Sequence, residues 1–109
     1  MTRFAALDPR SFALPGELVA RLLTPALVVH LDHVRANLRS VLALAGGDPA
    51  RWRPHVKTTK IPEVFAEVIA AGVRQFKCAT TRELAELLAA LRANGVEGGD
   101  VLVAYPHRG

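Results

Sequence analysis

The stretch RPHVKTTK, residues 53 to 60, places Arg53, His55, Lys57 and Lys60 within eight positions. Lys57 closes a predicted strand, RPHVK, just ahead of the turn into the next predicted helix. In parallel α/β folds, reacting groups collect at the carboxyl ends of strands. A lysine partly desolvated there, beside Arg53, His55 and Lys60, has its ammonium form disfavoured, and the neutral amine is the form that attacks a carbonyl. Lys57 is therefore a candidate Schiff-base lysine. Two other readings stay open from spacing alone: a solvated rim of loop-end cations, or a nucleic-acid patch with Trp52 as its stacking residue.

Other residues carry less. Tyr105 and Pro106 end a later predicted strand and could line the same mouth. Asn37, an amide on an otherwise apolar helix, reads as bonding a neighbouring backbone, and Cys78, inside an apolar strand, reads as a small buried thiol. His30, His33, His55 and His107 lack ligand spacing, and Cys78 has no Cys or His within four residues, so no local zinc site is expected. Neither glycine-rich phosphate fingerprint is present, which disfavours the nucleotide-binding classes that use them. Ser11 and Ser40 lack a nucleophile-elbow context.

The elements that must position these residues repeat. After a short helix expected over residues 15 to 23, ALVVHL (26 to 31) reads as a strand ending at Asp32 as N-cap, followed by a helix carrying Val34, Leu38, Val41, Leu42 and Ala45 and stopped at Gly46 and Gly47. WRPHVK is the next strand, with Pro62 starting a helix of Val64, Phe65, Val68 and Ile69 that Gly72 ends. QFKCAT follows as a strand, and Thr80 with Glu83 matches a capping box ahead of the stripe Leu84, Leu87, Leu88 and Leu91, closed by Asn94 and Gly95. DVLVAY (100 to 105) is the last strand. Strands alternating with helices predict an α/β fold with a parallel sheet. A (β/α)8 barrel needs about 250 residues, so this chain would supply under half of one and reads as cut short.

Half of the 109 residues are apolar and the formal charge is +4, which suits one globular unit. The first sixty residues hold nine Lys/Arg against four Asp/Glu, so the basic half is the half containing Lys57. That balance permits anionic partners without selecting one. A lone cysteine fits a reducing compartment, and neither a signal peptide nor an apolar run of about 20 residues is seen, so the expected location is cytoplasmic.

TPALVVHLDHVRANL, RPHVKTTKIPEV, FKCATTRELAELL and VLVAYP resemble, in order and spacing, the N-terminal part of the alanine-racemase-like, fold-type III pyridoxal-phosphate enzymes, in the D-threonine aldolase and D-serine dehydratase branch. The resemblance covers residues 24 to 106, and RPHVKT is its specific element. It implies a partial (β/α)8 TIM barrel of about three βα units over residues 24 to 109, behind an extension of residues 1 to 23. It implies that Lys57 holds pyridoxal 5′-phosphate through a Schiff base at the end of the first barrel strand, with His55, Thr58, Lys60 and Tyr105 shaping the cofactor pocket, and that ALVVHL pairs outside the barrel. Thr59 stands where the branch usually has histidine. The implied activity is that of a lyase on D-amino or β-hydroxy-D-amino acids, with an amino-acid racemase or a cofactor carrier of the same fold as alternatives. A basic module binding anions or nucleic acid is the reading outside enzymes. A divalent metal is implied for the full-length protein with ligands outside this chain, as is a homodimer. The isolated chain is expected to be inactive, with neither nucleic acid nor membrane as partner.

Overall fold

A computed structural model describes residues 8–106. The chain divides into two compact units, Met1–His30 and Leu31–Gly109.

In the first unit, the Asp8 carboxylate accepts from the Arg10 N–H (3.0 Å) and caps a single 3₁₀ turn, Pro9–Phe12. Helix α1 is Gly16–Val19, shorter than the residues 15 to 23 expected, and buries no side chain. Helices this short are not stable without packing. Residues 26 to 30 belong to no strand or helix, and this corrects the strand expected for ALVVHL. Apolar β-branched composition makes a strand possible, but a strand also needs a ladder partner, and the sheet of the described residues does not include this segment. His30 meets Phe12 edge-on, ring centroids 5.6 Å apart.

The second unit is an α/β arrangement. Helix α2, Leu31–Leu44, begins one residue before Asp32, so Asp32 is not the N-cap expected but a first-turn residue, where its charge still opposes the helix dipole. Leu38 is buried, with Val34 and Leu42 packed against the core. Helix α3, Pro62–Ala70, has proline at its first position and buries Phe65, Val68 and Ile69. It stops at Gly72, where φ is +98° and an added Cβ would lie 3.1 Å from Pro49 Cγ, so both conformation and space select glycine. Strand β1, Gln75–Cys78, leads into helix α4, Thr81–Ala93, through the predicted capping box, and strand β2, Asp100–Val103, follows.

β1 and β2 pair in parallel, Gln75 with Asp100 through Cys78 with Val103. The expected RPHVK strand is present only as one parallel bridge, His55 with Lys77, held by Val56 N–H to Lys77 O and Lys77 N–H to Pro54 O, both 2.9 Å. Phe76 and Cys78 are wholly buried, and Val101 and Val103 pack beside them against the helices. Val56, Val73, Leu87, Ala90 and Leu91 complete the core, and burial of each valine or leucine side chain contributes about 1.5–3 kcal/mol. Alternation therefore turns Gln75, Lys77, Asp100 and Leu102 to the opposite face. Leu102 is 50% exposed on it.

Candidate active site

The carboxyl-terminal edge of this parallel sheet is where the predicted site residues fall. His55 is level with Lys77, and Lys77 with Leu102, so the chain just beyond them, Lys57 on one segment, Ala79 on the next and Ala104 on the third, forms one rim. The Ala104 N–H donates to Cys78 O at 2.8 Å and ties the last two together.

Lys57 opens the turn formed by residues 57 to 59 and is exposed. The partial desolvation expected for it is not supplied by the described residues, among which its side chain is exposed and strand pairing ends at His55. No carboxylate pairs with Lys57 or Lys77 among the described residues. The Lys57 backbone N–H donates to His55 Nδ1 (3.2 Å), which occupies that nitrogen's lone pair and leaves Nε2 as the ring's donor. Thr58 is exposed beside Lys57, and Thr59 is half-buried in a largely apolar cavity of about 350 Å³ that Trp52, His55, Phe65 and Phe76 also line. Tyr105 is 64% exposed, two residues past the end of β2, and shares the parity of Val103 rather than that of Lys77.

Two of the cations in the octet are already engaged. The Arg53 guanidinium donates to Phe76 O (3.0 Å) and pairs with the Asp100 carboxylate, holding that carboxyl below the usual range and stitching the His55 segment across β1 to β2. Lys60, at φ +52°, is ion-paired with Glu83. Glu83 was legible in sequence only as half of a capping box. Its carboxylate accepts from the Ala79 N–H (2.6 Å) and the Thr80 N–H (3.1 Å), while the Thr80 hydroxyl accepts from the Glu83 N–H (3.1 Å). The Lys60 ammonium first, and then these backbone donors, hold the Glu83 carboxyl below its usual range against the cost of burial.

Cys78 is buried as expected, and burial pushes its thiol up, with the nearby Glu83 charge adding to it. Such a thiol is inert. Asn37 is exposed on α2 and lines the cavity without the backbone hydrogen bond expected of it. Trp52 is half-buried and packs against the core. His107 lies outside the described residues. Gln75, which sequence reasoning passed over, fastens the loop ahead of Arg53 by donating to Pro49 O (2.7 Å) and Trp52 O (2.9 Å). No group of three His, Cys, Asp or Glu side chains among the described residues could hold a metal ion, and no described helix is long and apolar enough to cross a membrane.

With this geometry in view, the chain is similar to two enzymes of D-amino-acid chemistry. It is 39% identical over 88 residues to a D-threonine aldolase from Arthrobacter sp, a match covering 81% of this chain and 23% of that enzyme. It is 36% identical over 67 residues to a D-threo-3-hydroxyaspartate dehydratase from Delftia sp. (strain HT23), covering 62% of this chain and 18% of the relative. The chain thus spans under a quarter of the length of the curated relatives it matches. No family model matches, and no solved structure matches.

Proposed function

We propose that this chain is the cofactor-bearing N-terminal part of a pyridoxal-phosphate-dependent lyase acting on D-amino or β-hydroxy-D-amino acids, folded as the first βα units of a (β/α)8 barrel. The observation that carries the reading is the position of Lys57. It is the one cation of the RPHVKTTK stretch at the carboxyl edge of a parallel sheet whose charge no carboxylate of the described residues claims, in a chain similar to an aldolase and a dehydratase of D-configured substrates.

The donor set suits an anionic aldehyde. Lys57 offers a primary amine free of an ion pair, His55 offers its Nε2–H, and Lys77 adds positive charge on the same face one row below. When bound, pyridoxal phosphate supplies an electron sink for negative charge at the alpha carbon of a joined amino acid. Lys57 would hold the cofactor through its Nζ, and the same amine, set at the carboxyl edge of the sheet, would be placed to carry a proton at the alpha carbon of the substrate. His55 cannot accept through Nδ1, which its own backbone neighbour occupies, so it acts as a donor through Nε2. Thr58 lies next to Lys57 on the turn, and Tyr105 follows the end of β2 on the parity of Val103. Covering of the rim, and the choice of which bond breaks, fall to groups that Lys57 meets in the whole protein.

The reaction is tested by supplying D-threonine, D-serine and D-threo-3-hydroxyaspartate to the protein that carries this chain and separating the products. Retro-aldol cleavage releases glycine and acetaldehyde from D-threonine, dehydration releases ammonia and a keto acid, and racemisation exchanges only the alpha proton. Lyase products that vanish in Lys57→Ala are expected. Alpha-proton exchange with no bond cleavage would replace the lyase with the racemase, and turnover surviving Lys57→Ala would remove Lys57 from the chemistry.

A further inference from the structure

We propose that Glu83 and Lys60 form a clamp that positions the Lys57 amine, making both of them positioning residues rather than cofactor contacts. The inference rests on the reading of Lys57 as the cofactor lysine and adds to it a device that acts at a distance.

The Glu83 side chain is 3% exposed, the one charged residue buried in the described core, while its partner Lys60 is 55% exposed. A capping box alone does not need that charge. Glutamine at the third helical position serves as well, because its side-chain oxygen can accept from the same backbone donors. What glutamine cannot do is hold an ammonium, since its amide would present N–H groups to Lys60. The dipole of helix α4 favours a negative charge in its first turn without requiring one, so the buried carboxylate is explained chiefly by Lys60.

Lys60 in turn governs the turn that carries Lys57. Its backbone N–H donates to Val56 O (3.1 Å), closing a loop around residues 57 to 59. It is the sole non-glycine at positive φ among the described residues, a conformation that costs on the order of 1 kcal/mol for an ordinary side chain. A lysine gains nothing from that backbone state by itself. Here the state brings its ammonium to a buried carboxylate that is already fixed to the Ala79 and Thr80 N–H groups at the end of β1. The Lys57 turn is thus pinned at both ends, by the hydrogen bond of Val56 N–H to Lys77 O on β1 and by Lys60 to Glu83, with Lys57 on the arc between them. Removing the second pin leaves Lys57 intact and lets its turn wander.

The test uses the 109-residue chain and the variants Lys60→Met, Lys60→Arg and Glu83→Gln, with three readouts: amide hydrogen exchange over residues 57 to 60, the acetic-anhydride acylation rate of Lys57 relative to Lys77, and the share of borohydride-trapped pyridoxal phosphate at Lys57. Lys60→Met and Glu83→Gln are expected to speed exchange over 57 to 60 by about tenfold or more, shift the Lys57 to Lys77 acylation ratio and spread the trapped adduct. Protection within α4 should stay, and Lys60→Arg should restore all three. Unchanged exchange and acylation in Lys60→Met would overturn the clamp. So would an adduct that stays on Lys57 as selectively as before. A wild-type chain that traps no cofactor at Lys57 would instead remove the tether reading, while exchange and acylation would still decide the clamp.

Discussion

Glu83 is charged where water barely reaches, and the sign of its shift sets when its partnership fails. A carboxyl held below its ordinary value contributes stability that is fully present above the unfolded-state value, roughly 4.3 for glutamate, and that is lost as pH falls through the lower folded value. The Lys60 contact should therefore persist across neutral and mildly acidic solution. Amide exchange over residues 57 to 60, corrected for intrinsic rates, is expected to accelerate only in acid below the ordinary glutamate range; acceleration near neutrality would contradict the assignment. At this scale the sequence put Lys57 at a strand end and Lys60 among the cations and pocket residues around it, but gave no sign of the partner Lys60 takes. Strand-end position follows from counting along RPHVKTT, whereas a lysine at positive φ paired with a glutamate 23 positions later is a long-range event that no local pattern encodes.

Helix α4 shows why some elements were legible. Thr80 and Glu83 cap it, Leu87 and Leu91 bury its stripe, and Asn94 ends it, so local and tertiary preferences agree. Thr80→Ala should cost about 1 kcal/mol through the lost cap. Leu87→Ala, a fully buried leucine, should cost about 2–5 kcal/mol. Chemical denaturation of both variants checks the order, and a Leu87→Ala effect smaller than that of Thr80→Ala would sink the packing account. ALVVHL shows the opposite case. Its apolar, branched side chains suited a strand, but strand formation is decided by a neighbour the segment does not choose, and among the described residues it has none. The RPHVK strand lies between these extremes, reduced to a bridge because its only described partner is β1.

The Leu31–Gly109 unit leaves the sheet face of Lys77 and Leu102 uncovered by helices, although parallel sheets are normally buried on both faces. Alternating strands and helices made the α/β class readable, while the barrel, which depends on strands pairing far apart in sequence, stays within the proposal. An open face with a half-exposed leucine and an unpaired edge should self-associate. Sedimentation of the 109-residue chain is expected to show concentration-dependent oligomers that Leu102→Lys diminishes, and a monodisperse, cooperatively unfolding monomer would count against an incomplete fold.

The central claim is that Lys57 is the amine prepared for pyridoxal phosphate, and the chain contains only two rivals, Lys60 and Lys77. The most direct test is to incubate the chain with pyridoxal phosphate, reduce with borohydride, and map the adduct by peptide mass. The account predicts an adduct at Lys57, little at Lys77, and least at Lys60, whose ammonium is held by Glu83. Equal labelling of all three lysines, or a preference for Lys60, would contradict it.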